Sequence, residues 1–473
     1  RPTLQVRLES HTFFVTHIFL STHTSHYSVL KQKHAKAHST HKTQKRQTYT
    51  KAMNYAELQE VFDDLDPVPQ VENSPNPVCS ISYNREFIHA MNYLRAVLKA
   101  DERSERALRL TTTCLKMNPA NYTTWHFRRS CLAAITAEQR IAARITEQKD
   151  AKLLESLGFD GTTSENSGAN TTNTNANTIP KLLVKYDAKL VETDLEMAAN
   201  LGGPNPKNYQ VWYHRRALME PFLQSLSTET YILPHDLTRA TTLINSELGY
   251  IQSVLTVDAK NYHAWSNRQW LLRTASQLFQ SHQKEKLHRS LWEEEREYAN
   301  TLISTDLRNN SAWNHLWFVA HRGGGSGGST STPLSIKSAN TEALFALEAC
   351  KLDKWNESPW RYLVGIGKEL VRNAKNSNFQ SVADVDKVNY IIEELGDEIN
   401  TLKVTDPKVA QVGCAFLTSA RLDFLVMENT SESLLQAANL AQFLAEKEDR
   451  MRAKYWHKRK KELMMKVTED TTW

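Results

Sequence analysis

Five copies of one short motif constrain the fold of this chain more than any other feature of its sequence. Each copy has Asn or Asp, then Asn three residues later, then Trp four residues after that. Successive tryptophans are 87, 53, 48 and 47 residues apart, and the first interval is long because it contains a stretch with few apolar residues, 161–180. A motif that recurs at such intervals is typical of proteins built from stacked helical hairpins. The copies are NPANYTTW (118–125), NPKNYQVW (205–212), DAKNYHAW (258–265), DLRNNSAW (306–313) and DKWNESPW (353–360).

The second asparagine of each copy marks where a helix begins. Its side chain can accept a hydrogen bond from a backbone N–H group that would otherwise lack a partner, so it caps the helix. The tryptophan then falls at the fourth helical position, and an arginine three residues later shares its inward face and can reach the neighbouring repeat. In the last two copies leucine replaces that arginine, at Leu316 and Leu363. The residues predicted to join the repeats are Trp125, Trp212, Trp265, Trp313, Trp360, Arg128, Arg215 and Arg268, and the predicted caps are Asn121, Asn208, Asn261, Asn309 and Asn356.

Hydrophobic periodicity predicts helices in most of the remaining sequence. Apolar residues recur near i, i+3, i+4 and i+7 in segments such as 105–117, 236–254 and 388–402, whereas the alternation typical of strands is scarce. Short loops with Asn, Asp or Pro separate the predicted helices. We therefore predict an all-α fold, an α-α superhelix (solenoid) of repeated helical hairpins that forms a crescent.

Segments of unusual composition divide the chain. Residues 1–52 hold nine Lys or Arg, one acid and seven of the 17 histidines, without helical periodicity. We expect them to be a disordered or mispredicted N-terminal extension, and an organelle-targeting segment is the alternative. The repeat domain is then 53–473, with insertions at about 158–181 and 322–334, where polar or glycine-rich sequence interrupts the apolar pattern.

Charge and cysteine content argue against several classes of function. Without residues 1–52 the chain has 49 Lys or Arg against 52 Asp or Glu, a net charge of −3, which disfavours a general nucleic-acid-binding surface. No apolar run approaches the roughly 18 to 20 residues of a membrane span, so we expect a soluble, cytoplasmic protein without stable membrane insertion. The five cysteines are scattered and form no CxxC pair, so we expect buried thiols and no metal site on this chain.

In its details the motif resembles the repeats of protein prenyltransferase alpha subunits. The segments KNYQVWYHRR (207–216) and DAKNYHAWSNRQWLL (258–272) are similar to the alpha-subunit family of protein farnesyltransferase and geranylgeranyltransferase type I. The resemblance covers roughly residues 54–459 apart from the insertions. Further segments that carry it are DDLDPVPQ (63–70), LRAVLKADERSERALRLT (94–111), NYTTWHFRR (121–129) and EKEDRMRAKYW (446–456).

The resemblance implies a heterodimer in which this chain wraps around a catalytic beta subunit. The enzyme would transfer a farnesyl or geranylgeranyl group from its diphosphate to the cysteine of a C-terminal CaaX sequence. Zinc, and magnesium where the reaction requires it, would lie on the beta-subunit side, and this chain alone would bind no metal. We therefore expect activity only in the presence of the beta subunit.

The resemblance also implies roles for particular side chains. Lys207 would place its ammonium beside the leaving diphosphate, where negative charge grows in the transition state, so it is the candidate catalytic residue. Gln210 would hydrogen-bond the C-terminal carboxylate of the CaaX peptide, and Tyr209 would line the same cavity. In the next repeat the equivalent side chains would contact the diphosphate or position Lys207, or would only cap and pack the helix. These are Asn261, Tyr262 and His263.

Several questions stay open at this level. His214, Arg215 and Arg216 are expected to serve the subunit interface rather than the chemistry. Leu316 stands where the family usually has arginine, which leaves part of the beta-subunit interface uncertain. One alternative function is the alpha subunit of the Rab-specific geranylgeranyltransferase, against which the KNYQV and KNYHAW lines argue. Another is a repeat scaffold that binds proteins without catalysis.

Overall fold

A computed structural model describes residues 49–71, 81–156, 187–322, 334–375 and 381–470. The regular structure in these ranges is helical and contains no strand, which confirms the predicted all-α class. The helices predicted at 105–117, 236–254 and 388–402 are also confirmed. Residues 1–48, 158–181 and 323–333, which make up most of the predicted extension and insertions, and Cys79 lie outside the described residues.

Seventeen α-helices follow one another in the described ranges. Between the last two, a π-helical turn (Leu444–Glu448) and a 3-10 turn (Arg450–Arg452) redirect the chain. The helices are α1 (Tyr55–Val61), α2 (Arg85–Lys99), α3 (Glu105–Met117), α4 (Tyr122–Ser156), α5 (Ala188–Gly202), α6 (Tyr209–Ser227), α7 (Pro234–Val257), α8 (Tyr262–Ser281), α9 (Glu285–Thr305), α10 (Asn310–Ala320), α11 (Ile336–Leu352), α12 (Glu357–Lys375), α13 (Val382–Thr405), α14 (Pro407–Val412), α15 (Ala415–Glu428), α16 (Ser431–Phe443) and α17 (Ala453–Asp470).

The helices form two compact units, a first that ends at Glu285 and a second that begins at Lys286. In the first unit α3 packs on α4, α5 on α6 and α7 on α8, so each motif lies at the turn of a helical hairpin. The second helix of each hairpin also packs on that of the next, as α4 does on α6 and α6 on α8. In the second unit α11 packs on α12, α12 on α15, α15 on α16, and α16 on α17. This is the stacking of hairpins that the repeat predicts.

Each motif tryptophan closes the turn in which it occurs. Its indole N–H donates to the carbonyl oxygen six residues earlier, at 2.8 to 2.9 Å in all five copies. All five side chains are buried. The predicted caps are confirmed as well, because each motif asparagine accepts from a backbone N–H of the first helical turn. The acceptor carbonyls for the indoles belong to Pro119, Pro206, Ala259, Leu307 and Lys354.

Buried ion pairs join the hairpins of the first unit. Arg128 of α4 donates from Nε to Asp194 of α5 at 2.7 Å, and both side chains are fully buried. Arg215 of α6 pairs in the same way with Glu247 of α7, with 3.0 Å between Nε and Oε1. Each guanidinium also donates to the carbonyl oxygen twenty residues before it. Loss of one partner from such a pair leaves an unpaired buried charge and costs roughly 3–5 kcal/mol.

The leucine that replaces arginine in the fourth repeat has a local explanation. Leu316 is fully buried in the apolar core of the second unit. The carboxylate that would have paired with an arginine there is Glu342, and it binds two other groups instead. Tyr362 donates its hydroxyl to Glu342 at 2.6 Å, and Arg296 of α9 supplies the positive charge. Tyr362 stands two residues after its motif tryptophan, as His214 does, and Arg296 takes over the role of the missing arginine.

His214 is a neutral hydrogen-bond donor inside the first unit. It is fully buried, and its Nε2 lies 2.7 Å from Oδ2 of Asp194. Burial lowers the pKa of His214 to about 4, against the attraction of Asp194. Burial acts to raise the pKa of Asp194, but Arg128 and His214 together hold it at about 2. Asp194 is therefore ionised, its charge is balanced by Arg128, and the imidazole donates without carrying charge at pH 7.

We expect the free energy of unfolding to decrease as the pH falls from 6.5 toward 4. Folding lowers the pKa of His214 from 6.5 to about 4, so in this window the unfolded chain binds the proton and the folded chain does not. The variant His214→Asn has asparagine where the next repeat has Asn267. In it, the slope of the free energy of unfolding against pH should decrease by the equivalent of up to about one bound proton. Urea unfolding across this pH range measures the slopes, with His457→Asn, at an exposed histidine, as the control. Equal slopes in wild type and His214→Asn would contradict the assignment.

Candidate functional site

The turn before α6 presents Lys207 to solvent from a well-defined backbone. Asn205 Oδ1 accepts from the backbone N–H of Lys207 at 3.2 Å, and Asn208 Oδ1 caps α6 by accepting from Gln210 at 3.0 Å. The Lys207 side chain is 74% exposed. The structure therefore fixes the base of this side chain and leaves its ammonium accessible.

Asn261 ties this turn to the next repeat. Its Oδ1 caps α8 by accepting from Ala264 at 3.1 Å, while its Nδ2 donates to the carbonyl oxygen of Pro206 at 3.2 Å. The same carbonyl also accepts from the indole of Trp212 at 2.8 Å. Asn261 thus caps α8 and also holds Pro206, the residue that precedes Lys207, in place. The two roles that the sequence left as alternatives, capping and positioning, are compatible in one side chain.

The Lys207 ammonium lies 3.7 Å from Oδ2 of Asp258, the first residue of the next motif. The second unit has an ion pair at the equivalent motif positions, between Arg308 and Asp353, at 2.7 Å. In both pairs the cation precedes a capping asparagine and the carboxylate begins the following motif. Because the Lys207 pair is longer and Lys207 is well exposed, it restrains the ammonium weakly.

The other predicted site residues lie on the first turns of α6 and α8. Tyr209 and Tyr262, each the first residue of its helix, are 63% and 76% exposed. His263 is half-buried and its ring stands edge-on to that of Tyr262, with centroids 5.6 Å apart. Gln210 is half-buried one residue into α6. The structure thus places the predicted site residues at the starts of α6 and α8, in consecutive repeats that Asn261 joins.

The expectation that His214 and Arg215 serve a subunit interface is wrong. Both are buried inside this chain, where they bind Asp194 and Glu247, so a partner cannot reach them. Arg216 is exposed and stands over the ring of Trp270 at 5.0 Å. Arg129 makes a contact that the sequence did not predict. Its guanidinium stands 5.1 Å from the ring centroid of the exposed Tyr213.

The described part of the chain offers no metal-binding cluster of three or more His, Cys, Asp or Glu. The thiols that it contains are buried, as predicted, and burial raises the pKa of Cys114 and of Cys131 to about 12. Such thiols resist the ionisation that zinc ligation needs. In the same ranges, every helix is too short or too polar to cross a bilayer.

Comparisons with known proteins agree with this architecture. The model of the protein prenyltransferase alpha subunit repeat matches four segments, 104–135, 191–221, 244–275 and 292–322. A relative from Pisum sativum, "Protein farnesyltransferase/geranylgeranyltransferase type-1 subunit alpha", is 30% identical over 86% of this chain and 94% of its own. A protein of the same description from Dictyostelium discoideum is 28% identical over 84% and 90%. The fold is similar to that of Candida albicans protein geranylgeranyltransferase-I complexed with GGPP, with a TM-score of 0.52 and 21% identity over 85% of this chain and 98% of that chain.

We expect Asn261→Asp to destabilise the protein by about 1–3 kcal/mol. The variant keeps the capping oxygen but replaces the NH2 donor with a second oxygen, which cannot donate to the Pro206 carbonyl. Asn121→Asp is the matched control. Asn121 Oδ1 caps its helix by accepting from Thr124, and its side-chain NH2 group donates no hydrogen bond to another described residue. The control should remain within about 0.5 kcal/mol of wild type. Urea unfolding at pH 7 measures both changes, and equal losses would show that the bond to Pro206 contributes little.

Proposed function

Because this chain belongs to the protein prenyltransferase alpha subunit family, we propose that it is the alpha subunit of a heterodimeric farnesyltransferase/geranylgeranyltransferase type I. The enzyme transfers a farnesyl or geranylgeranyl group from its diphosphate to the cysteine of a C-terminal CaaX sequence, in the cytoplasm. The observation that carries the proposal is the accessible ammonium of Lys207, held at the start of α6 by a turn that Asn261 braces from the next repeat.

Lys207 is the proposed catalytic residue of this chain. When a thiolate displaces the diphosphate, negative charge grows on the leaving oxygen, and an ammonium beside it stabilises the transition state more than the ground state. An exposed ion pair such as that with Asp258 is worth at most about 1 kcal/mol. The diphosphate can therefore replace Asp258 as the partner of Lys207 at small cost. Because Asn261 fixes the backbone below, the ammonium reaches the leaving group from a defined point.

The neighbouring side chains are proposed to bind the two substrates. The amide of Gln210 donates to the terminal carboxylate of the CaaX peptide without adding charge, and Tyr209 lines the same cavity. Tyr262 and His263 donate to the diphosphate from the next helix start. Both tyrosines are well exposed in this chain, so their rings are available to a bound molecule or to a second subunit.

The metal and the remaining groups are proposed to belong to a beta subunit. The described residues of this chain do not fit zinc, since they hold no cluster of ligands and their thiols are buried with raised pKa values. Zinc, and magnesium where the reaction requires it, is therefore assigned to the partner. The prenyl diphosphate and the CaaX peptide would lie between that subunit and the start of α6 and α8.

Co-expression with a farnesyltransferase or geranylgeranyltransferase type I beta subunit tests the proposal. We expect a one-to-one complex that contains zinc and prenylates a CaaX peptide, whereas either chain alone is inactive. A complex only with a Rab-type beta subunit would favour the Rab-specific enzyme. Failure to bind any prenyltransferase beta subunit would favour a non-catalytic scaffold.

In that complex we expect Lys207→Ala to lower kcat by about a hundredfold, the cost of removing one group that stabilises a developing anion. The KM for the peptide should change little, because Lys207 acts on the leaving group. The control is Lys260→Ala, which removes an exposed lysine from the same position of the next motif. Steady-state and single-turnover kinetics separate the two effects. If both variants lost the same activity, the effect would be one of general charge, and the proposed role of Lys207 would be wrong.

A further inference from the structure

A row of lysines runs along the exposed face of α17. Lys454, Lys458 and Lys461 follow one another at intervals of four and three residues, so they share one side of the helix. Met465 continues the same interval within the helix and is 54% exposed, and Met451, which is 100% exposed, lies in the 3-10 turn just before the helix. We call these five residues the lysine stripe. At about 1.5 Å per residue it extends over roughly 20 Å.

The opposite face of α17 is already occupied. Trp456 and Leu463 are buried in a core that α17 shares with α15 and α16. The indole of Trp456 donates to Asp449 at 2.7 Å, which fixes the start of the helix. The rotation of α17 about its axis is therefore set by packing, and this rotation points the lysine stripe outward.

Protein contacts hold other basic groups of this helix but leave the lysine stripe nearly unpaired. Arg459 lies 3.6 Å from Asp423, and Lys460 donates to Gln442 at 3.3 Å. Within the described residues, the stripe has one ion pair, between Lys458 and Glu462, and its 3.9 Å separation makes it weak. From 450 to 466 the sequence holds eight Lys or Arg and one acid. The remaining repeat domain is net acidic, so this helix stands out from its surroundings in charge.

We propose that the lysine stripe docks the protein on an anionic membrane surface. A straight row of ammonium groups matches a plane of lipid phosphates and carboxylates. Clusters of about four to eight basic residues adsorb in this way, and segment 450–466 supplies eight, three of them in the stripe. The methionines at both ends favour a lipid surface over an acidic protein or a nucleic acid, because flexible apolar side chains can enter the headgroup region beside the lysines. The apolar face of α17 is buried in the fold, so the contact is peripheral and does not insert the helix.

This inference does not depend on the proposed transferase activity. It concerns a different helix and requires no substrate. For an enzyme that handled prenyl diphosphates and prenylated products, such a surface would also keep the protein near its apolar ligands.

Vesicle co-sedimentation of the full-length protein, as it purifies with any partner subunit, tests the proposal. The vesicles are phosphatidylcholine alone or with about one third phosphatidylserine, at low and physiological salt. We expect binding only to the anionic vesicles, weaker at higher salt because ions screen the charges. The variant K454Q/K458Q/K461Q should bind about a hundredfold more weakly, since each lysine near such a surface contributes roughly a factor of five. Replacement of the same three lysines by arginine should retain binding.

A charge-matched control removes three exposed lysines from separate helices, as K116Q/K286Q/K337Q. Its binding should stay close to that of wild type, and thermal unfolding should show that both glutamine variants are folded. Equal binding to neutral vesicles, equal loss in the control, or no binding by the folded wild type would overturn the proposal. So would complete displacement by polyglutamate at equal charge, which would indicate an acidic protein partner. Loss of a partner subunit from K454Q/K458Q/K461Q would also overturn it, because the stripe would then be a subunit contact.

Discussion

In three of the five motif turns, one backbone carbonyl oxygen links two consecutive repeats and so fixes their register. In the turn before α6 the Pro206 oxygen accepts from the indole of Trp212 and from the amide of Asn261 in the next repeat. Pro119 has the same two kinds of donor, Trp125 and Asn208. A carbonyl oxygen has two lone pairs, so this arrangement uses its full capacity in a partly buried place. A shift of one hairpin relative to the next would break the bond from the asparagine of the next repeat, while the indole bond within the turn would persist.

The candidate site depends on this register. Lys207 directly follows the shared carbonyl, and Asn261, which binds that carbonyl, begins the helix that carries Tyr262 and His263. Pro206, which links the repeats, and Lys207, the proposed catalytic residue, are thus adjacent in the sequence. The stack therefore brings together side chains that are about fifty residues apart in the sequence, such as Lys207 and Asp258. A substitution that loosens the stack would also move the ammonium.

Much of the fold could be predicted from the sequence because the signals are local. Helix caps, the inward tryptophans and the helical periodicity all depend on neighbours within one or two turns. The partners across hairpins were harder to predict. His214 occurs in a basic, aromatic segment whose composition is typical of a protein surface. It follows Trp212 by two residues, so helical periodicity does not place it on the inward face of that tryptophan. A signal was present, because Asp194, Glu247 and Glu342 each precede a motif tryptophan by eighteen residues. The residue two positions after a motif tryptophan carried a signal as well, because His214, His315 and Tyr362 each bind the carboxylate twenty residues earlier. The role of Arg296 at Glu342 had no such signal, since it replaces a repeated contact with a singular one.

The contacts between the first two hairpins have a consequence for chain connectivity. Arg128 and Asp194 are 66 positions apart, Pro119 and Asn208 are 89 apart, and the long insertion falls between them. These contacts align α4 with α5 and α6. If a protease cut the chain once between α4 and α5, both fragments would keep complementary buried surfaces and an intact charge pair. The protein is therefore a suitable subject for fragment complementation, in which two separately produced pieces reassemble into one stack.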